Sequence, residues 1–158
     1  MGEPCKTFSA VFPIILNTVS DTNGEKTMIL LGRRQNTGYQ DGKWDIAGGG
    51  HVDENETARM AAVRECKEEL GIDVNVGDLK FVHLCHRFMA FPFTGRAYYD
   101  IYFLVEKYAG TPAIMEPDKC SGLEWFDIGA LPEDMVECRK AVVRGYGNES
   151  YSEYFENL

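Results

Sequence analysis

Short apolar runs bounded by turn residues open the chain, a pattern that predicts β-strands. Residues 8–17 predict a first strand, in which Pro13 lacks a backbone donor, as is typical of an edge strand or a bulge. The pair Asn23-Gly24 is a strong signal for a tight hairpin turn, and residues 27–34 predict the returning strand. The chain is therefore expected to begin with two antiparallel strands.

The spacing of apolar positions changes in the next segment. Residues 35–50 are rich in glycine and polar side chains and predict a loop. Apolar positions within residues 57–70 then recur three and four apart, which predicts a helix with one apolar face. Thr57 is suited to cap the start of this helix and Gly71 to end it.

The second half of the chain returns to strands. Residues 79–88 and 98–106 predict two strands joined by an aromatic-rich segment, and residues 124–128 predict a shorter one. A final helix is predicted over 131–144, with Gly145 beyond its end. Strands and helices mixed in this order, with antiparallel hairpins, predict an α+β fold in which helices flank a mixed sheet.

No linker or repeat divides the sequence, so we expect a single domain over 1–158, with a core over 6–145 and a polar, aromatic tail over 146–158. The tail is either disordered or docked on the domain or on a second subunit, and a homodimer is one arrangement left open. Three aromatic side chains of the tail fit a helical stripe: Tyr151, Tyr154 and Phe155.

Composition narrows the class of protein. The formal net charge is −9, which disfavours duplex nucleic acid as a partner, because binding it requires many Lys and Arg contacts to phosphate. No apolar run approaches the roughly 20 residues of a membrane-spanning helix, and the N-terminus does not resemble a signal peptide. Five widely spaced cysteines without a metal-binding pattern indicate free thiols and a cytoplasmic location.

One helix face carries a cluster of acids. Glu65, Glu68 and Glu69 lie at positions i, i+3 and i+4 of the predicted helix and therefore on one face. Like charges at this spacing repel, so the cluster is unfavourable unless a cation binds it. Magnesium prefers oxygen ligands and binds through one or two carboxylates together with substrate phosphates. A solvated acidic face is the alternative interpretation.

The residues around the cluster carry a resemblance. Gly50, Glu56, Arg64 and Gly71 stand in a fixed frame with the three glutamates, and the stretch GHVDENETARMAAVRECKEELGI, residues 50–72, resembles the Nudix box. The resemblance to Nudix hydrolases, the MutT-like pyrophosphohydrolases, implies an α/β/α sandwich and a magnesium-dependent enzyme, with manganese as a substitute. Two positions depart from the common pattern: Gly48 replaces a frequent proline, and Asn55 replaces a frequent glycine that supplies a left-handed conformation, which Asn tolerates.

The resemblance also implies roles for individual residues. Arg64 would orient the carboxylates, and Glu68 or Glu65 would be the catalytic base. Glu116, in a later loop, is a candidate for a further metal ligand, with an ordinary loop acid as the alternative. The metal ligands would be Gly49, through its backbone, Glu65, Glu68, Glu69 and Glu116.

Substrate-binding residues are expected on neighbouring strands. Arg33 and Arg34 end the second strand with side chains on opposite faces, so one of them is expected to reach the site and bind phosphate. Trp44 offers an aromatic face for a base, and Asp100 offers a carboxylate between two tyrosines. A satisfied polar group at a sheet edge is the alternative for Asp100.

The resemblance implies cleavage of a nucleoside diphosphate linked to another group. We expect a (deoxy)nucleoside triphosphate, including oxidised ones, to yield a monophosphate and pyrophosphate. The proline that marks hydrolysis of ADP-ribose in some members is absent at its spacing, where Arg87 and Phe88 stand. The alternatives are a nucleotide-sugar or ADP-ribose hydrolase and a non-catalytic nucleotide-binding sensor module, and the intact acid set favours catalysis.

Overall fold

The computed structural model describes residues 2–89 and 95–156, in which two α-helices flank a mixed sheet of eight strands. The helices are α1 (Ala58–Leu70) and α2 (Glu137–Gly145), and a 3-10 turn spans Val76–Asp78. The strands are β1 (Thr7–Asp21), β2 (Gly24–Arg34), β3 (Trp44–Ile46), β4 (Gly50–His51), β5 (Lys80–Met89), β6 (Arg96–Val105), β7 (Cys120–Asp127) and β8 (Tyr151–Glu156).

The long strand β1 joins the two parts of the sheet. The main strand order is β3-β2-β1-β6-β5-β8, while β4 pairs with β1 and β7 pairs with β2. The first part of β1 runs parallel to β6, and its second part, from Leu16, forms the predicted antiparallel hairpin with β2. Pro13 lies between Val11, the last residue paired with β4, and Leu16. The strand is thus internal rather than at an edge. Pro13 lies where the partner on one side of β1 changes from β4 to β2.

The two helices cover opposite faces of the sheet. Val11 and Ile15 of β1 pack in one apolar cluster with α1, whereas Phe12 and Ile14 pack in the other cluster with α2. Alternate residues of a strand point to opposite faces, so these clusters are two separate cores on the two sides of the sheet. The predicted α+β fold, a mixed sheet sandwiched between helices, is confirmed. Neither helix of the described residues is long and apolar enough to cross a membrane.

Local signals fixed α1 but not the start of α2. The Met60 amide donates to Oγ1 of Thr57, and Gly71 ends α1 in a left-handed conformation, so both predicted caps are confirmed. The prediction that the last helix begins at residue 131 is wrong. The backbone of Trp44 in β3 accepts from Val136 and donates to Asp134, which holds this segment, with its turn at residues 133–134, against β3.

The tail contains a strand instead of a helix. β8 runs parallel to β5, from the pair Leu84 and Tyr151 to the pair Met89 and Glu156. The helical prediction for these residues is wrong because β5 offers an open edge, and pairing with a distant strand does not show in local spacing. The predicted loop 35–50 likewise contains β3 and the start of β4. Part of the aromatic-rich segment, residues 90–94, lies outside the described residues.

Candidate active site

The backbone of the glycine-rich loop before α1 passes very close to neighbouring side chains. A residue larger than glycine would not permit this approach. A Cβ added to Gly50 would overlap the carboxylate of Glu65, and one added to Gly49 would lie 2.7 Å from the ring of Phe12. Gly48 has φ +77°, a conformation that proline cannot adopt. The departure from the common proline at position 48 therefore follows from the backbone conformation of the loop.

Arg64 organises the acids of α1. Its Nη1 donates to Oε1 of Glu65 at 2.8 Å and to Oε2 of Glu68 at 3.2 Å. Its Nε and Nη2 donate to the two carboxylate oxygens of Glu56, and Nη2 also donates to the carbonyl of His51. One guanidinium thus holds three carboxylates and fixes the loop against the helix.

Glu56 is in turn held by the loop. The amide of Asp53 donates to Oε1 of Glu56 at 2.7 Å, and Asn55 between them has φ +66°. Asparagine is one of the few residues that adopt this left-handed conformation readily, as expected for this departure from the Nudix pattern. The hydrogen bonds from Arg64 and the Asp53 amide lower the pKa of Glu56.

Burial and mutual repulsion act on Glu69 and Glu65. Burial, together with the charges of Glu65 and Glu116, raises the pKa of Glu69 to about 8. Burial also raises the pKa of Glu65, against the effect of Arg64. Glu116 therefore lies near enough to both glutamates to repel them. Such crowding favours either protonation or a bound cation.

The donor chemistry of this cluster fits a divalent cation. Carboxylate oxygens are the ligands that hard divalent ions prefer, and four glutamates border the same cavity: Glu65, Glu68, Glu69 and Glu116. Within residues 2–89 and 95–156, no three acidic, histidine or cysteine side chains already converge as an ion-binding group. Arg64 engages two of the four carboxylates, so a cation would compete with its guanidinium for them.

A cavity of about 710 Å³ extends from these carboxylates to the sheet face covered by α2. Its carboxylate end is formed by Glu65, Glu68, Glu69 and Glu116, and its arginine end by Arg87, Arg139, Tyr39 and Tyr98. Asp45 lies between the two ends. It contributes to the raised pKa of Glu69, and its Oδ1 lies 3.3 Å from Nε of Arg139. The volume is in the range typical of small-ligand sites.

Both arginines at the end of β2 border this cavity, although only one was expected to reach it. Arg34 donates to Asp45 at 2.8 Å and to the Tyr39 carbonyl at 2.6 Å. Arg33 lies over the ring of Trp44 and is 46% exposed. Trp44 itself is 8% exposed, packs edge-on against Phe126, and is not among the residues that border the cavity.

Asp100 is fully buried between two arginines. Arg87 donates to both of its oxygens, and Nη1 of Arg139 donates to Oδ2 at 2.7 Å. Burial alone would raise the pKa of Asp100, but the two arginines outweigh it and hold the pKa below its usual value. Asp100 does not border the cavity and instead anchors the two side chains that do. The structure thus places Asp100 neither at the cavity surface, where it could bind a base, nor at a sheet edge.

Sequence reasoning missed the arginine end. Arg87 and Arg139 are 3% and 2% exposed and occupy inward positions of β5 and α2. The available signal was a charged residue at a position where the pattern predicts an apolar one. Arg87 stands two residues after Cys85 in β5, and Arg139 stands one residue after Cys138 in α2. Arginines rarely occupy such positions without a carboxylate partner, and Asp100 at an inward position of β6 was the matching signal.

A carboxylate-bearing helix packed against a glycine loop, at one end of a cavity in a mixed sheet between helices, defines a Nudix-type site. The family model for the NUDIX domain matches residues 13–146, which include both the loop and α1. The chain therefore belongs to the NUDIX family of hydrolases. Members of this family generally use a divalent metal.

Individual relatives are similar over different lengths. A CTP pyrophosphohydrolase of Escherichia coli is 46% identical over 55 residues, which are 35% of this chain and 40% of that protein. A putative 8-oxo-dGTP diphosphatase of Bacillus subtilis is 29% identical over 137 residues, 87% of this chain and 78% of that protein. The crystal structure of a MutT NUDIX hydrolase from Burkholderia pseudomallei superposes with a TM-score of 0.73 at 25% identity, covering 88% of this chain and 97% of that one.

Proposed function

We propose that this protein is a pyrophosphohydrolase that cleaves (deoxy)nucleoside triphosphates to the monophosphate and pyrophosphate. The observation that carries the proposal is the single cavity that joins the Nudix carboxylates to an arginine and aromatic end. Such a cavity has groups for a metal-bound phosphate chain at one end and for a base at the other. The relatives named as CTP and 8-oxo-dGTP hydrolases support a nucleoside triphosphate as the substrate.

Magnesium, with manganese as a substitute, is the proposed metal. The residues that would hold it are Gly49, through its backbone, Glu65, Glu68, Glu69 and Glu116. Bound there, the ion would lower the pKa of an attacking water and neutralise charge on the phosphates. Arg64 keeps two of these carboxylates aligned on the cavity side of α1.

Glu68 is the proposed general base, and Glu65 is the alternative. The side chain of Glu68 is 55% exposed against 12% for Glu65, and hydrogen bonding to Arg64 occupies only its Oε2. The remaining oxygen can accept a proton from a water on the cavity side, as a general base requires. Arg33 and Arg34 at the cavity wall would neutralise phosphate charge that the metal leaves.

The arginine end favours bases that present hydrogen-bond acceptors. Both oxygens of Asp100 are occupied by Arg87 and Arg139, so the guanidinium groups that border this end of the cavity leave it rich in donors rather than acceptors. Adjacent acceptors occur on guanine, at O6 and N7, and on cytosine, at O2 and N3. We therefore expect guanine and cytosine nucleotides to be preferred over adenine and thymine nucleotides.

A panel assay tests the proposal. Purified protein is incubated with the common and oxidised nucleoside triphosphates, nucleotide sugars and ADP-ribose, with magnesium, with manganese or with a chelator, and products are identified by chromatography. Monophosphate and pyrophosphate, formed only with metal and fastest from guanine or cytosine nucleotides, are expected. Monophosphate with a sugar phosphate would instead favour a nucleotide-sugar hydrolase, and binding without turnover would favour a sensor.

The five cysteines are all free thiols, which supports the cytoplasm as the location of this activity.

A further inference from the structure

The strand β8 lies beyond the family domain yet reaches its cavity. The family match ends at residue 146, whereas β8 spans Tyr151–Glu156 and adds to the sheet beside β5. The other acid of this strand, Glu153, is exposed, but Glu156 is only 4% exposed. A buried carboxylate requires partners, and two of those of Glu156, Tyr39 and Arg87, border the cavity.

Each oxygen of Glu156 has a defined partner. Oε1 accepts from the Tyr39 hydroxyl at 2.5 Å and from Nε2 of Gln40 at 3.3 Å. Oε2 accepts from Nη1 of Arg87 at 3.3 Å. Tyr39 and Gln40 belong to the loop between β2 and β3, and Arg87 belongs to β5. Glu156 therefore ties together a loop and a strand that both contribute to the cavity wall.

The two cavity residues held by Glu156 are central to the arginine end. The Arg87 guanidinium lies 4.4 Å from the ring centre of Tyr98 and 5.7 Å from that of Tyr39. Arg87 also shares Asp100 with Arg139, so a single carboxylate faces two guanidinium groups. Glu156 supplies a second negative charge to Arg87, which reduces the repulsion between the arginines and fixes the guanidinium between the two rings.

We propose that Glu156 is a positioning residue for the substrate base, so that β8 completes the binding site from outside the family domain. This proposal rests on the proposed function, because it takes the arginine end as the place where the base binds. Loss of the Glu156 carboxylate would release the Tyr39 loop and leave Arg87 with Asp100 alone. The carboxylate end, built from α1 and the Glu116 loop, has no contact with Glu156 among the described residues and would keep its affinity for phosphate.

Calorimetric titration tests this proposal with two kinds of probe. The nonhydrolysable α,β-methylene analogues of dGTP and CTP report on both ends of the cavity, and inorganic pyrophosphate reports on the carboxylate end alone. In magnesium buffer, Glu156→Gln is expected to raise the Kd of the preferred analogue at least fivefold and to change the Kd of pyrophosphate less than twofold. KM should rise in parallel, and kcat should change less than threefold.

Two further variants make the test specific. Glu153→Gln, on the same strand but exposed, is the matched control and should bind both probes as the wild type does. Tyr39→Phe removes the hydroxyl that donates to Glu156 and keeps the ring, so it should weaken nucleotide binding on its own. The effects of Tyr39→Phe and Glu156→Gln should add only in part, because Tyr39→Phe removes the hydrogen bond that Glu156→Gln weakens by removing the charge of its acceptor. If Glu156→Gln does not fold, the binding of both probes to Tyr39→Phe tests the proposal.

Nucleotide binding equal to that of Glu153→Gln would overturn the positioning role, as would equal weakening of nucleotide and pyrophosphate. A wild type that binds the analogues but cleaves no substrate would overturn the proposed hydrolysis instead, while the binding comparison still decides the role of Glu156.

Discussion

Gly50 illustrates how one missing side chain shapes the site. The space that its Cβ would occupy is filled by the Glu65 carboxylate, which in turn accepts from Arg64. The glycine is therefore required by a close approach between the loop and α1, since its φ is not in the left-handed region. The position of Glu65 depends directly on this contact.

We predict that Gly50→Ala lowers kcat/KM at least about tenfold, because the added methyl group displaces Glu65 from its place beside Arg64. Steady-state kinetics and thermal unfolding measure the effect. Gly77→Ala is the control, since a Cβ there meets no atom within 4 Å and the backbone is not left-handed. Unchanged turnover in Gly50→Ala would mean that the position of Glu65 is unimportant for catalysis.

At the scale of elements, the buried ion network joins β6, β5 and α2. Asp100 contributes the only carboxylate that contacts both arginines in the described chain. We predict that Asp100→Asn lowers the free energy of unfolding by about 3–5 kcal/mol, because it removes the carboxylate that the two buried guanidinium groups share and leaves each with one weaker ion pair, to Glu156 or to Asp45. Urea unfolding measures this change. A loss below about 1 kcal/mol would show that the network adds little to stability.

The same network predicts a pH dependence. The pKa of Asp100 is lower in the folded state than its ordinary value of about 3.9. Its contribution to stability is therefore present above that ordinary value and is lost as the pH falls through the lower folded pKa. We predict that the stability difference between the wild type and Asp100→Asn is constant at neutral pH and shrinks below about pH 4. Urea unfolding as a function of pH would contradict this if the difference stayed constant.

Elements specified by neighbouring residues could be predicted from the sequence, whereas those specified by distant pairing could not. The caps Thr57 and Gly71 and the hairpin turn are local signals, and each predicted correctly. The start of α2 depends on backbone bonds to Trp44, and β8 depends on the open edge of β5. Neither dependence leaves a local pattern in the sequence.

The candidate site divides in the same way. The carboxylate end could be predicted because its acids and Arg64 lie within one helix and a loop. The arginine end brings together residues far apart in sequence, such as Tyr39, Arg87 and Arg139. Trp44 and Asp100 were expected to bind substrate, and the structure shows each in the interior, where it supports residues of the cavity wall.

At the scale of the whole molecule, the net charge of −9 opposes the binding of polyanions. The cationic side chains of the cavity are mostly paired with carboxylates, so they offer local sites for a small nucleotide rather than a basic surface. We predict no change in the fluorescence anisotropy of labelled duplex DNA at protein concentrations up to about 10 μM and physiological salt. Saturable binding in that range would contradict this prediction.

Family membership together with the cavity leads to one central claim, that the carboxylates of α1 form the hydrolytic centre. The most direct measurement is kcat/KM for the preferred triphosphate in Glu68→Gln and Glu69→Gln, which keep nearly the same shape but lose a negative charge. We predict a loss on the order of 10²-fold or more in each, with thermal unfolding close to that of the wild type. The control Glu25→Gln, on the exposed β1–β2 hairpin, should retain full activity. Wild-type turnover in both α1 variants would contradict the claim.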